Sequence, residues 1–127
     1  MDKINKPRPK HLALYKIKFP LPSYVSILHR VSGAVLFLCL PLLLLLFDQS
    51  LRSIETYTSL TEYLAHPLLK LILLGLMWAF LHHFCAGLRY LAIDLHLLPN
   101  LALARSSSIW VLVVSLSLTA VFGVKLW

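Results

Sequence analysis

His83 opens the run His-Phe-Cys-Ala-Gly-Leu-Arg-Tyr-Leu-Ala-Ile-Asp (83–94), inside a segment that is otherwise nearly all apolar. A histidine, an arginine and an aspartate on one long apolar helix are costly in hydrocarbon. Such residues face a bundle interior and mark a pathway, a proton relay or a bound ligand. On a helix, His83, Gly87, Tyr90 and Asp94 fall at i, i+4, i+7 and i+11 and share one stripe. A neutral imidazole nitrogen can be an axial ligand of haem iron. A glycine one turn away lets something flat, or another helix, approach the backbone. The competing reading is a histidine that hydrogen-bonds across helices as packing. His82 points about 100° away from His83, so one helix cannot aim both at the same metal. The glycine stripe favours His83.

A second constellation is Ser-Ile-Leu-His-Arg-Val-Ser-Gly (26–33). Ser26, Arg30 and Gly33 lie on one helix face, Ser23 extends it, and His29 sits one turn above Ser26, slightly rotated. Arg30 can snorkel to headgroups, or pair with a buried anion or donate to a ligand oxygen. Ser26 and His29 add donors beside it, which favours a polar site over a bare anchor.

The elements that carry these residues follow from composition. The chain has 127 residues, 59% hydrophobic and 13% charged, with mean hydropathy +0.80. That is too apolar for a soluble domain and too long for a single anchor. The expected fold is all-α: an integral membrane bundle of three transmembrane helices at about 23–47, 67–95 and 107–127, behind a basic tail at 1–22. Each span reaches the roughly 20 residues needed to cross a ~30 Å hydrocarbon core. Ser23 suits the N-cap of the first span and Pro67 the first turn of the second. Pro41 can kink the first. The connection 48–64 reads as polar with a helical turn or two, and Ser106, Ser107 and Ser108 as the lead into the third span. A short interfacial turn is expected at 11–17. Span three reads as packing surface, and Cys39 and Cys85 as packed thiols, since no CxxC pattern exists.

Formal net charge is +7, and Lys3, Lys6, Arg8, Lys10, Lys16 and Lys18 are half of the twelve basic residues. This basic flank reads as a cytoplasmic topology signal rather than as a nucleic-acid surface. The connection with Asp48, Glu55 and Glu62 then belongs outside, Arg105 inside, and the C-terminus in the periplasm. The N-terminus resembles neither a cleaved signal nor a transit peptide, which favours a bacterial inner membrane. In this topology Arg30 lies seven residues, about 10 Å, inside Ser23, and His83 about 18 Å from residue 95. Ser26, His29, Arg30, Arg89 and Asp94 converge on the cytoplasmic half, with His83 just deeper.

Three motifs carry a family resemblance: Arg-Pro-Lys-His-Leu-Ala-Leu-Tyr (8–15), the 26–33 segment, and His-x-x-x-Gly-x-Arg-x-x-x-x-Asp (83–94), in that order and spacing. Together they resemble the cytochrome b membrane-anchor subunits of succinate dehydrogenase, the larger of the two small anchors of respiratory complex II. The tail lacks the Ser-Pro pair of many members. The resemblance implies that His83 is one axial ligand of a b-type haem, shared with a partner anchor subunit that supplies the other histidine. It places His29 and Arg30 by the haem propionates, Ser26 and Arg30 at a ubiquinone site, and Asp94 in an outer position nearby. It implies two further partners, an iron–sulfur subunit and a flavoprotein subunit, which hold the centres that oxidise succinate. Quinone reduction needs two electrons and two protons, and donors such as Ser26 and Arg30 would stabilise the charge building on the oxygens.

Besides a purely structural anchor whose polar residues only pack, two other readings remain. One is the anchor of a fumarate reductase running the reverse reaction. The other is a small proton or ion transporter without haem, using His83, Arg89 and Asp94 as a relay. No P-loop, GxGxxG, metalloprotease pattern or nucleophile constellation occurs in the sequence.

Overall fold

The computed structural model describes residues 16–126, apart from the side chain of Leu126. The tail motif at 8–15, most of the turn expected at 11–17, and Trp127 lie outside the described residues. The described residues form four helices and no strand: α1 (Leu21–Arg52), α2 (Ile54–Leu64), α3 (Pro67–Asp94) and α4 (Leu101–Leu126). Three of them, α1, α3 and α4, are long and apolar enough to cross a membrane.

α1 starts earlier than the serine signal suggested. Pro20 is its N-cap and Pro22 lies in its first turn, where a missing N–H costs nothing. Ser23 does not cap. It sits inside the first turn, its backbone N–H donating to the Pro20 carbonyl at 2.9 Å. The helix runs on through Pro41 and past residue 47 to Arg52. Its last turn holds an Asp48–Arg52 pair at 2.7 Å, an i,i+4 arrangement that supports helix.

The connection beyond is more helical than expected. Ser53 Oγ accepts from the Thr56 N–H and Thr56 Oγ1 from the Ser53 N–H, each at 3.1 Å. This reciprocal capping box nucleates the three turns of α2. α3 begins at Pro67, capped by His66, whose Nδ1 accepts from the Leu68 N–H at 3.3 Å. Asn100 Oδ1 accepts from the Leu103 N–H at 2.8 Å, and α4 starts at Leu101. Ser106, Ser107 and Ser108 therefore lie within the helix instead of leading into it.

α3 is the central element, antiparallel to both α1 and α4. Gly33 of α1 faces His83 and Gly87 of α3 faces His29, while Leu74 meets Gly123 at one end of the α3–α4 seam. The buried apolar core is small, with Val25, Ala86 and Val111 contributed by one helix each and Cys85 and Leu112 beside them. On α4, the residues turned inward are Ser108, Val111, Ser115 and Thr119. Small side chains at this spacing let helices approach closely in a bilayer, so α4 is packing surface as expected. Cys39 and Cys85 are free, half-buried thiols. Large apolar side chains such as Phe37 and Leu38 project outward, each 75% exposed. Such a surface suits lipid or another membrane chain and would be costly in water.

Candidate functional site

The site lies where the first turns of α1 meet the last turns of α3. The His29 and His83 rings are stacked, with centroids 4.1 Å apart and planes within 7° of parallel. The backbone explains how two rings fit between two helices. A Cβ at Gly33 would stand 2.7 Å from His83 Cε1, and a Cβ at Gly87 would stand 3.8 Å from His29 Nε2. Each ring thus lies over a glycine of the opposite helix. Gly87 admits something flat, as its place on the stripe suggested, and the flat group it faces is the His29 ring.

Hydrogen bonding sets which nitrogen of a neutral His83 ring carries the proton. Its Nδ1 lies 3.0 Å from the His29 carbonyl oxygen. A carbonyl only accepts, so Nδ1 carries the proton. The same carbonyl accepts from the buried Ser32 hydroxyl at 2.9 Å, and Ser32 Oγ is itself 3.4 Å from Nδ1. Nε2 is left with its lone pair and meets no hydrogen-bond partner among the described residues. An imidazole whose Nδ1–H is tied to a carbonyl is the tautomer that metal-binding histidines adopt.

His82 points elsewhere. It is fully buried, packed beside Trp78 with ring centroids 5.4 Å apart. The Val25 main chain comes near it, yet neither ring nitrogen has a partner in hydrogen-bond geometry among the described residues, nor does Trp78 Nε1. Trp78 packs inward here.

Beside the paired rings, an open cleft of about 420 Å³ holds Ser23, Ser26, Arg30, Arg89 and Tyr90, with apolar walls from Phe19, Ile27 and Ile93. Tyr90 links cleft and rings, its ring 5.2 Å from that of His29. Arg89 is 7% exposed and braced on α4: Nε donates to Ser107 Oγ at 3.0 Å and Nη2 to the Ala104 carbonyl at 3.1 Å. Arg30 is exposed to the cleft.

Ser26, His29, Arg30, His83 and Arg89 therefore come together. Asp94 ends α3, is exposed, and does not line the cleft. Sequence reasoning gave no role to Ser32 or Tyr90. Ser32 lies three residues after His29, so its hydroxyl reaches that residue's carbonyl, and Tyr90 stands on the His83 stripe. A second cavity of about 320 Å³, between Leu64, Leu73, Leu74 and Gly123, contains none of the predicted site residues.

Comparison with known proteins gives the family of the chain. The sequence model of the succinate dehydrogenase/fumarate reductase transmembrane subunit family matches residues 4–122. The succinate dehydrogenase cytochrome b556 subunit of Coxiella burnetii (strain RSA 493 / Nine Mile phase I) is 38% identical over 125 residues, which are 98% of this chain and 100% of that protein. The three long apolar helices are accordingly the spans of a multi-pass membrane protein, and the chain belongs to the succinate dehydrogenase/fumarate reductase transmembrane subunit family.

Proposed function

We propose that this chain is the cytochrome b anchor of a succinate dehydrogenase in a bacterial inner membrane, holding a b-type haem through His83 Nε2 and helping to form a ubiquinone-reduction site. The observation that carries this reading is the bond from His83 Nδ1 to the His29 carbonyl, which presents Nε2 as a bare lone pair. The donor set fits haem iron. When bound, haem supplies a one-electron store. A histidine of a partner anchor subunit would supply a second ligand to the iron. His29 is a poor candidate for that role, because its ring is stacked face to face on the His83 ring.

Arg30 and His29 would face the propionates of a haem held there, Arg30 with its charge and His29 with a ring nitrogen. Within the cleft, Ser26 donates a hydrogen bond to a quinone carbonyl oxygen, and the Arg30 guanidinium favours the negative charge that arrives with electrons. Water from the cytoplasmic side supplies the two protons. Succinate oxidation itself belongs to partner iron–sulfur and flavoprotein subunits. The N-terminal tail is cytoplasmic and the C-terminus periplasmic, with lipid around the outer faces.

The quinone role is tested on the assembled complex. Ser26→Ala and Arg30→Leu should slow quinone reduction by at least about tenfold, as expected when one positioned donor or charge worth roughly 1.4 kcal/mol is removed. Succinate oxidation with a soluble artificial acceptor should be preserved. Full quinone reduction in both variants would remove these residues from the site.

A further inference from the structure

We propose that Arg89 is a fixed, uncompensated cation of this site, whose charge favours electrons on an acceptor bound between α1 and α3. The inference rests on the haem reading given above and adds a residue to it. Arg89 is almost wholly buried, and both of its hydrogen-bond partners are neutral: the Ser107 hydroxyl and the Ala104 carbonyl. It meets no carboxylate among the described residues. Asp48 is committed to Arg52 at the far end of α1. Glu55 and Glu62 stand on α2 beyond that end, and Asp94 is exposed and makes no ion pair among the described residues.

Neutral dipoles satisfy the guanidinium's hydrogen bonds without cancelling its charge. A guanidinium does not lose its proton in proteins, and a field set up inside a low-dielectric bundle is weakly screened. The exposed Arg30 in the same cleft is screened far more. The direction of the field is also set. Arg89 lies 5.5 Å from the Tyr90 ring centroid, Tyr90 lies against His29, and His29 is stacked on His83. Along α3, Arg89 stands six residues from His83, about 9 Å at 1.5 Å per residue. The brace onto α4 stops the charge from swinging out to solvent.

The test is a spectroelectrochemical titration of the haem in the complete complex. Arg89→Gln should keep the haem band and shift the midpoint potential downward, while Arg89→Lys should stay near wild type. Ser107→Ala, which removes one bond of the brace but keeps the charge and its bond to the Ala104 carbonyl, should lower thermal stability and shift the potential far less than Arg89→Gln does. Should Arg89→Gln fail to assemble, Ser107→Asp carries the same test by placing a carboxylate against the intact guanidinium, and should also lower the potential. An unchanged potential in Arg89→Gln or, in its place, Ser107→Asp would overturn the proposal, as would an equal shift in Ser107→Ala. A wild-type complex with no haem band would instead overturn the reading on which the proposal rests.

Discussion

The His83 ring lies flat against the His29 ring and donates its Nδ1 proton to the carbonyl of that same residue. One residue of α1 thus sets both the plane and the tautomer of one residue of α3. The His29 backbone does the second task and its side chain the first. A substitution at His29 therefore removes the stack while leaving the carbonyl, and the two effects can be separated.

Room for the rings depends on Gly33 more than on Gly87. Gly33→Ala would put a methyl 2.7 Å from His83 Cε1, whereas the methyl of Gly87→Ala would make ordinary contact at 3.8 Å. Overpacking a tight site costs about 1–3 kcal/mol. Gly33→Ala should therefore sharply reduce haem content, measured by pyridine haemochrome per mole of purified complex. Gly87→Ala should stay close to wild type. Equal behaviour of the two would contradict the ring placement.

His82 offers a contrast within one residue of His83. Its ring is fully buried with neither nitrogen hydrogen-bonded among the described residues. Replacing an unsatisfied buried polar group by an apolar one of similar shape is close to neutral or stabilising. His82→Phe should keep the haem band and melt no lower than wild type in detergent. Loss of haem in that variant would mean that the wrong histidine has been assigned to the metal.

Orientation is open to chemical labelling. Lys16, Lys18, Arg30, Arg89 and Arg105 gather at one end of the bundle with Asp94, whereas at the other end Asp48, Glu55 and Glu62 offset Arg52, Lys70 and Lys125. In a background without Cys39 and Cys85, the exposed positions Ser59→Cys and Ser106→Cys should respond oppositely to a membrane-impermeant maleimide added to intact cells. Ser59→Cys should react and Ser106→Cys should not. The reverse pattern would turn the cleft to the periplasm.

The cap of α2 is a local matter. Ser53→Ala removes one half of the capping box, a change that costs roughly 0.5–2 kcal/mol. Faster amide exchange confined to α2, with the haem spectrum unaltered, is the expected outcome.

The spans and the convergence of their polar residues on one half of the bundle were legible in the sequence, because apolar length, the 3.6-residue period and the depth of each residue in its span are strong signals. Helix ends were not. Ser23 has the chemistry of a cap, but Pro20 and Pro22 both fit a first turn, so the helix begins before the serine. The serines at 106–108 read as the lead into the third span. In the folded chain Ser107 and Ser108 return their hydroxyl protons to the Ala104 carbonyl, at 3.0 and 2.9 Å, and Ser115 and Thr119 do likewise to Leu112 and Ser115. A hydroxyl satisfied by its own helix is tolerated within an apolar bundle, and nothing in local composition distinguishes that from a loop. The pairing of His29 with His83 depends on α1–α3 register, which periodicity alone does not fix. Glycines on facing stripes at Gly33 and Gly87 were the one readable hint of it.

The central claim is that His83 Nε2 holds haem iron, and it is tested most directly by the reduced-minus-oxidised visible spectrum of the assembled complex, wild type against His83→Ala. The account predicts a b-type band in wild type and its loss in His83→Ala, with assembly of the complex followed separately by subunit content. A wild-type complex with no such band, or a His83→Ala complex that retains it in full, would contradict the account.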